Sequence, residues 1–396
     1  MSLPPLPVVR LKPKMDPRRI RFGHPWVYAN ELVLDRRTKA LAPGALALLE
    51  DSHRAPLAVI GFNAASKIAG RVLSLDPASS INPDWLAGKV DAALALRAKI
   101  YDAPFYRLVH AEGDGLPGVV IDRFGDTAVL QANAAWADAM KDDFSRILAA
   151  RGMPNVILNG SGRARSLEGL PELREVIVGQ GPDRPLAVQL NGATYMADLI
   201  GGQKTGLFYD QRANHAFLQT FARGARVLDV FSHVGGFGLA ALAAGADHVT
   251  AIDSSEPALS LAAEGASRMD AADRLTTEKA DAFAALEARA DEAFDIVICD
   301  PPAFAPSKQA LDAGLRAYER VARLAAARVV PGGLLVLCSC SHAADLVRFR
   351  AASLKGVGRA GRAAQFLHTG SAGPDHPQHP ALAETAYLKA LFLRLA

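Results

Sequence analysis

Residues 6–75 alternate short apolar runs (Trp26–Tyr28, Ala45–Leu49, Leu57–Phe62) with turns at Ala42–Gly44 and Asp51–His53, the pattern of a small β-barrel or sandwich. Over Pro83–Ala103 the apolar residues Trp85, Val90, Ala93, Leu96 and Ile100 recur at about 3.6 positions, predicting an amphipathic helix that links two domains. Strand-like runs follow at Gly118–Ile121, Ala128–Ala132, Asn155–Leu158 and Glu175–Ile177, with a helix over Ala134–Ala150, so the middle of the chain reads as α+β.

From Leu186 the texture changes. Ala187–Leu190 and Ala193–Leu199 predict a hairpin across Asn191-Gly192, a dipeptide suited to a turn with positive φ at both central residues. Arg226–Asp253 then reads as strand, Gly-rich turn (Gly235, Gly236, Gly238), Ala/Leu helix and second strand ending on an acid. Further strands at Leu275–Lys279, Phe294–Cys299 and Leu334–Leu337 alternate with helices, the βαβ repeat of a doubly wound parallel sheet. Thr385–Leu395 is expected as a last strand, and Gly356–His379, without periodicity, mainly as loop. The fold class is therefore α/β, with a C-terminal Rossmann-like sheet (186–396) preceded by a small β-barrel (1–77) and an α+β middle domain (78–185).

With 396 residues, half of them apolar, the chain can bury several cores, which excludes a disordered protein. The net charge of +3 is small but uneven, since the first 40 residues hold nine Lys or Arg against three Asp or Glu. Arg10, Lys12, Lys14, Arg18, Arg19 and Arg21 read either as a solvated basic face or as a phosphate-contacting patch beside Trp26 and Tyr28. The three cysteines, Cys299, Cys338 and Cys340, form no disulfide framework, and no apolar run is long enough for a membrane span, so a cytoplasmic protein is expected.

Ligands of such a sheet bind beyond the carboxyl ends of its strands. Five polar features are expected there: the glycine turn, Asp253, Asp281, Asp300-Pro301-Pro302 and the run Cys338 to Ser341. The turn lets backbone approach a ligand and offers helix N–H groups, while Asp253 could hold a ribose diol. His233 occupies the first glycine position of a dinucleotide fingerprint, which disfavours NAD or FAD. Cys338 and Cys340 would share one face of a continuing strand, and only one can stand just past its end, where a thiolate could act as a nucleophile. Inert buried thiols are a second reading; zinc held with His342 and a loop histidine is a third, weakened by the absence of the thiol pairs structural zinc sites use.

DVFSHVGGFG, DPPAFAPSK, CSCS and GGQKTGLFYDQR resemble the class I S-adenosylmethionine-dependent methyltransferases that form 5-methylcytidine in bacterial large-subunit (23S) ribosomal RNA. GHPWVYANEL resembles that family's RNA-binding PUA barrel, and EGDGLPGVVIDRFG its middle domain. The resemblance implies that Lys204, Thr205, Gly206, Asp210 and Arg212 close the cofactor site. It assigns Phe231, Gly235 and Phe237 to the methionine-side turn, Asp253 to the ribose, Asp281 to the adenine side, Asp300 with Pro301 to the catalytic motif that also borders the cofactor, and Cys340 to the nucleophile. The chain departs from the family at His233-Val234, where Tyr-Thr is usual, at Asn159–Arg165, and in Asp375–Pro380, which keeps only the start of a family loop.

The implied chemistry is addition of the Cys340 thiolate to cytosine C6, with Asp300 at the N3/N4 edge, methylation of the activated C5 and loss of its proton to a base the sequence does not identify. Ribosomal RNA or a precursor particle is the implied partner; no membrane is, and a homodimer is left open. Two other functions stay open: an exocyclic-amine methyltransferase that stacks a flipped base on Phe304, and a non-catalytic RNA-binding assembly factor.

Overall fold

The alternating runs at the start of the chain pair as β1 (Val8–Arg10), β2 (Trp26–Val27), β3 (Ala45–Glu50), β4 (Pro56–Phe62) and β5 (Gly70–Ser74) in the computed structural model, which describes residues 5–202 and 206–396. Their order is β1-β3-β4-β5-β2, antiparallel except for β1 with β3. A second five-stranded sheet has the order β10-β9-β8-β7-β6, from β6 (Phe105–His110), β7 (Val119–Phe124), β8 (Thr127–Ala132), β9 (Asn155–Asn159) and β10 (Arg174–Val178).

Sequence periodicity hides β6 because its polar residues are paired across the sheet: Arg107 meets the fully buried Asp122 of β7 at 2.8 Å. The linking helix is Pro83–Ala98, and its buried stripe is Leu86, Val90, Ala93 and Arg97 rather than the one expected through Leu96, which is exposed. Arg97 is tolerated there because Asp114 takes two of its N–H groups and the Asp375 carbonyl a third. The helix expected over Ala134–Ala150 is two, Ala135–Ala139 and Lys141–Ala149, broken at Met140.

Contacts divide the chain into two units. The first takes the described chain through Asp183 together with Leu199–Gly206 and Pro374–Thr385. The second takes Arg184–Asp198, Leu207–Gly373 and Ala386–Ala396. Within the first unit the two sheets share a core, and a buried polar knot joins them: Glu168 accepts from Arg71, Ser66 and Asn63, and Glu112 from Trp26 Nε1 at 2.7 Å.

The second unit opens with the expected hairpin, β11 (Leu186–Leu190) and β12 (Ala193–Ala197), whose turn residues Asn191 and Gly192 have φ of 53° and 75°. Its main sheet contains β13 (Arg226–Val230), β14 (His248–Asp253), β15 (Leu275–Lys279), β16 (Phe294–Cys299), β17 (Val329–Ser339), β18 (Ala364–Gly370) and β19 (Lys389–Leu395). The order is β15-β14-β13-β16-β17-β19-β18, with the first five parallel and β19 antiparallel to both neighbours. The order reverses between β13 and β16, so the crevice of this sheet lies at their carboxyl ends.

Three expectations are corrected. Gly356–His379 is not mainly loop, for it holds the end of the helix Leu346–Arg359 and all of β18. Gly356 lies inside that helix, and a Cβ there would lie 2.3 Å from the Glu319 carbonyl of the facing helix Leu311–Ala326, so the glycine serves close packing. β18 is an exposed edge, held by its ladder to β19 rather than by burial, and so carries no apolar alternation. Finally, β17 runs through Pro331-Gly332-Gly333 with a register irregularity, and β19 begins at Lys389 rather than Thr385.

Candidate active site

The turn that leaves β13 builds one wall of the crevice. After Val230 the chain places Phe231, His233 and Gly235 at φ of 63°, 51° and 82°, a left-handed series that is costly for the two non-glycine residues and characteristic of functional turns. Gly235 caps the helix Gly236–Ala243, and a Cβ on it would sit 2.9 Å from the Leu239 side chain. Below the turn, buried Asp229 accepts from the Gly238 N–H at 2.8 Å. Burial raises its carboxyl to about 7; the Gly238 N–H opposes the rise, and nearby Asp300 and Asp253 add to it.

Asp253, ending β14, accepts from the N–H groups of His233 (2.9 Å) and Ser255 (2.8 Å), so it fixes the turn while each carboxylate oxygen retains accepting capacity. Ser232 Oγ, within the same turn, is buried and has no hydrogen-bond partner among the described residues. An unsatisfied hydroxyl beside a concave run of backbone fits a polar ligand group. Phe237, by contrast, is buried with its ring edge-on to His215 at 4.4 Å, under the turn in the core. His215 is held neutral, its pKa pushed down to about 3 by burial, against the pull of Asp210.

Asp281, following β15, caps the helix Ala282–Ala288 by accepting from the Ala284 N–H at 2.9 Å, and it is exposed. Asp300 follows β16, where its N–H donates to the Val230 carbonyl at 3.3 Å, which sets it beside the glycine turn. Its Oδ2 accepts from Gln211 Nε2 at 2.9 Å, and Gln211 Oε1 in turn accepts from Asn214 at 2.6 Å. Pro301 is buried behind it. Phe304 belongs to a ring cluster, 6.1 Å from Phe231, 6.0 Å from Phe283 and 5.0 Å from Tyr318.

The ladder aligns Cys299 with Leu337, so Asp300 stands level with Cys338 and two positions short of Cys340. Cys338 is buried within β17, and burial first, then Asp300, pushes its thiol well above the ordinary range. Cys340 is the first residue beyond the strand and is partly exposed. Its flanking serines are locked: Ser339 Oγ donates to Tyr318 Oη at 2.8 Å, Ser341 Oγ pairs with the same oxygen at 2.8 Å, and the Ala305 N–H donates to Ser341 Oγ at 3.0 Å. The DPPAF loop and the cysteine tract are thus one hydrogen-bonded assembly.

Of the segment expected to close the cofactor site, Asp210 accepts from Tyr387 Oη at 2.5 Å, and the Arg212 carbonyl accepts from Asn191 at 2.8 Å. Gly206, with φ of 101°, groups with the first unit, whereas Lys204 and Thr205 lie outside the described residues. In the basic N-terminal segment, Arg10 pairs with Glu50, Arg18 with Asp16, Arg19 with Glu31 and Arg21 with Asp51. Lys12 and Lys14 are exposed and enter no ion pair among the described residues. Sequence reading misses Gln211, Ser232, Tyr318 and Lys389; only Gln211 carries a signal, its place between Asp210 and Arg212.

Residues 175–394 match the family model described as S-adenosylmethionine-dependent methyltransferase, and residues 9–75 match a PUA-like domain. The chain is 34% identical over 414 residues to a Deinococcus radiodurans protein named Ribosomal RNA large subunit methyltransferase, covering 100% of both. It is also 34% identical to Ribosomal RNA large subunit methyltransferase I of Shewanella amazonensis, covering 98% of this chain and 99% of that one. Among solved structures, SMU.776, a methyltransferase candidate complexed with S-adenosylhomocysteine, superposes with a TM-score of 0.81 at 19% identity, over 98% of this chain and 99% of that one. The last likeness concerns the fold alone.

Proposed function

The chain belongs to the S-adenosylmethionine-dependent ribosomal RNA large subunit methyltransferases, and on that premise we propose that it methylates C5 of a cytidine in 23S ribosomal RNA through a covalent adduct of Cys340. The observation that carries this reading is the position of Cys340 one residue beyond β17, beside the strand end that bears Asp300. A thiol in that place has a use in activating a pyrimidine ring and none in packing.

S-adenosylmethionine, when bound, supplies an electrophilic methyl group. The turn Phe231–Gly235 and the Ser232 hydroxyl are suited to its methionine end, Asp253 to its ribose and Asp281 to its adenine side, with Asp210 and Arg212 near the closing segment. The Cys340 thiolate forms a bond to cytosine C6, which places the electron pair of the C5–C6 double bond on C5. Asp300, oriented by Gln211, faces the polar edge of the base and steadies the charge that develops as the ring is attacked. After C5 has been methylated its proton leaves, the ring double bond re-forms and the C–S bond breaks, returning the thiolate.

The barrel within residues 1–77 is assigned RNA affinity and no chemistry, residues 78–185 a supporting role and residues 186–396 the reaction, in a cytoplasmic enzyme. Lys12 and Lys14 are exposed cations there that enter no ion pair among the described residues. Engagement of Phe304 with three other rings supports C5 methylation over an exocyclic-amine reaction that would need that ring as a platform. Mapping of tritiated methyl on unmodified ribosomal RNA tests the reading: label at cytosine C5 is expected, and label on an exocyclic nitrogen overturns it.

A further inference from the structure

Lys389 begins β19 directly across the ladder from Ser339, the last residue of β17 and the neighbour of Cys340. Its side chain is buried, and Nζ donates to the carbonyls of Ser341 at 2.7 Å and Ala344 at 2.8 Å, the turn into which Cys340 leads. Two of the three ammonium hydrogens are thereby fixed on the chain that aims the thiol.

We propose that Lys389 is the positioning residue of Cys340, holding the turn beyond it and providing the positive charge that favours its thiolate.

The other groups named at this point include no lysine or arginine among the described residues. Asp300 follows β16, Asp345 caps the helix Leu346–Arg359, Tyr318 lies on the facing helix, Cys338 is buried in β17, and the rings of His342 and Tyr387 stand 5.7 Å apart on the open side. Both carboxylates oppose a thiolate, so a cation is needed to offset them. Burial draws Lys389 down to about 8, while Cys340 and Asp345 act in the opposite direction, which keeps the amine mainly protonated at neutral pH. An ammonium beside a thiol favours the thiolate, as at other reactive cysteines.

The effect on methyl transfer rests on the reading of Cys340 as nucleophile, but the ionisation of the thiol can be measured without it. Alkylation of full-length protein by iodoacetamide, followed by mass spectrometry of the Cys340 peptide across pH, gives the midpoint directly; Cys299 and Cys338 are buried. Lys389→Gln keeps donors for the two carbonyls and removes the charge, Lys389→Met removes both, and Lys389→Arg keeps the charge. The neutral variants are expected to move the midpoint upward by about one pH unit or more, with Lys389→Arg close to wild type. If Lys389→Met does not fold, Lys389→Gln decides. An unchanged midpoint in a folded neutral variant overturns the proposal. A Cys340→Ala protein that still methylates RNA overturns the nucleophile instead, and leaves the alkylation result standing.

Discussion

Gln211 Nε2 donates to Asp300 Oδ2 at 2.9 Å, joining the YDQR segment to the DPP motif across 89 residues of sequence. Gln211 is itself buried and anchored by Asn214, so the bond orients the carboxylate before any substrate arrives. Gln211→Leu should lower the rate of methyl transfer about tenfold, the value of one hydrogen bond to a charged group, with affinity for S-adenosylmethionine little changed. Single-turnover kinetics and calorimetry on the same variant check this; a full rate would remove Gln211 from the reaction.

Asp253 has a structural task as well as its assigned ligand task, since it holds the N–H groups of His233 and Ser255. Asp253→Ala should weaken cofactor binding by roughly 1–3 kcal/mol and also lower the melting temperature of the ligand-free protein. Unchanged affinity by calorimetry in a folded variant would take Asp253 out of the site.

Asp229 gives the protein a distinctive pH dependence. Its folded pKa, raised to about 7, lies above the ordinary 3.8, so the native state keeps a proton that the unfolded chain has already lost. The unfolded state binds fewer protons across that interval, and this group's contribution to stability falls as pH rises toward neutrality. Asp229→Asn, which preserves an acceptor for Gly238, should flatten this part of the profile and gain on wild type between pH 5 and pH 8, on the order of the interval set by that raised value. Parallel melting curves for the two proteins would contradict the assignment.

Much of the catalytic sheet was legible because buried parallel strands are largely apolar runs, as in Ile296–Cys299 and Leu334–Leu337. The last apolar position of β17 separated Cys338 from Cys340 by the same periodicity. What escaped is what depends on pairing between distant segments. β18 is an exposed edge without a pattern of its own, and Lys389 reads in isolation as a polar residue at a strand start. Tyr318 looks like one more apolar position of an amphipathic helix until its hydroxyl is seen between Ser339 and Ser341. Nor could the charge count of the first 40 residues reveal that five of their arginines pair with carboxylates, two of those carboxylates, Glu50 and Asp51, lying beyond residue 40.

That pairing sharpens the expectation for RNA. Lys12→Glu with Lys14→Glu should weaken RNA binding and reduce its salt slope by about 2, one for each lost phosphate contact, whereas Arg18→Gln should have a smaller effect. Filter binding over a series of salt concentrations reads both. An unchanged slope in the double variant would mark the segment as a solvated face.

The central claim is covalent activation by Cys340, and 5-fluorocytidine tests it most directly. Fluorine at C5 leaves no proton to remove, so the C–S bond formed at C6 cannot be released after methylation. With 5-fluorocytidine-substituted ribosomal RNA and S-adenosylmethionine, wild-type protein and Cys338→Ala should migrate with the RNA on a denaturing gel, and Cys340→Ala should not. A methylated product without a trapped complex, or a complex that persists in Cys340→Ala, would contradict it.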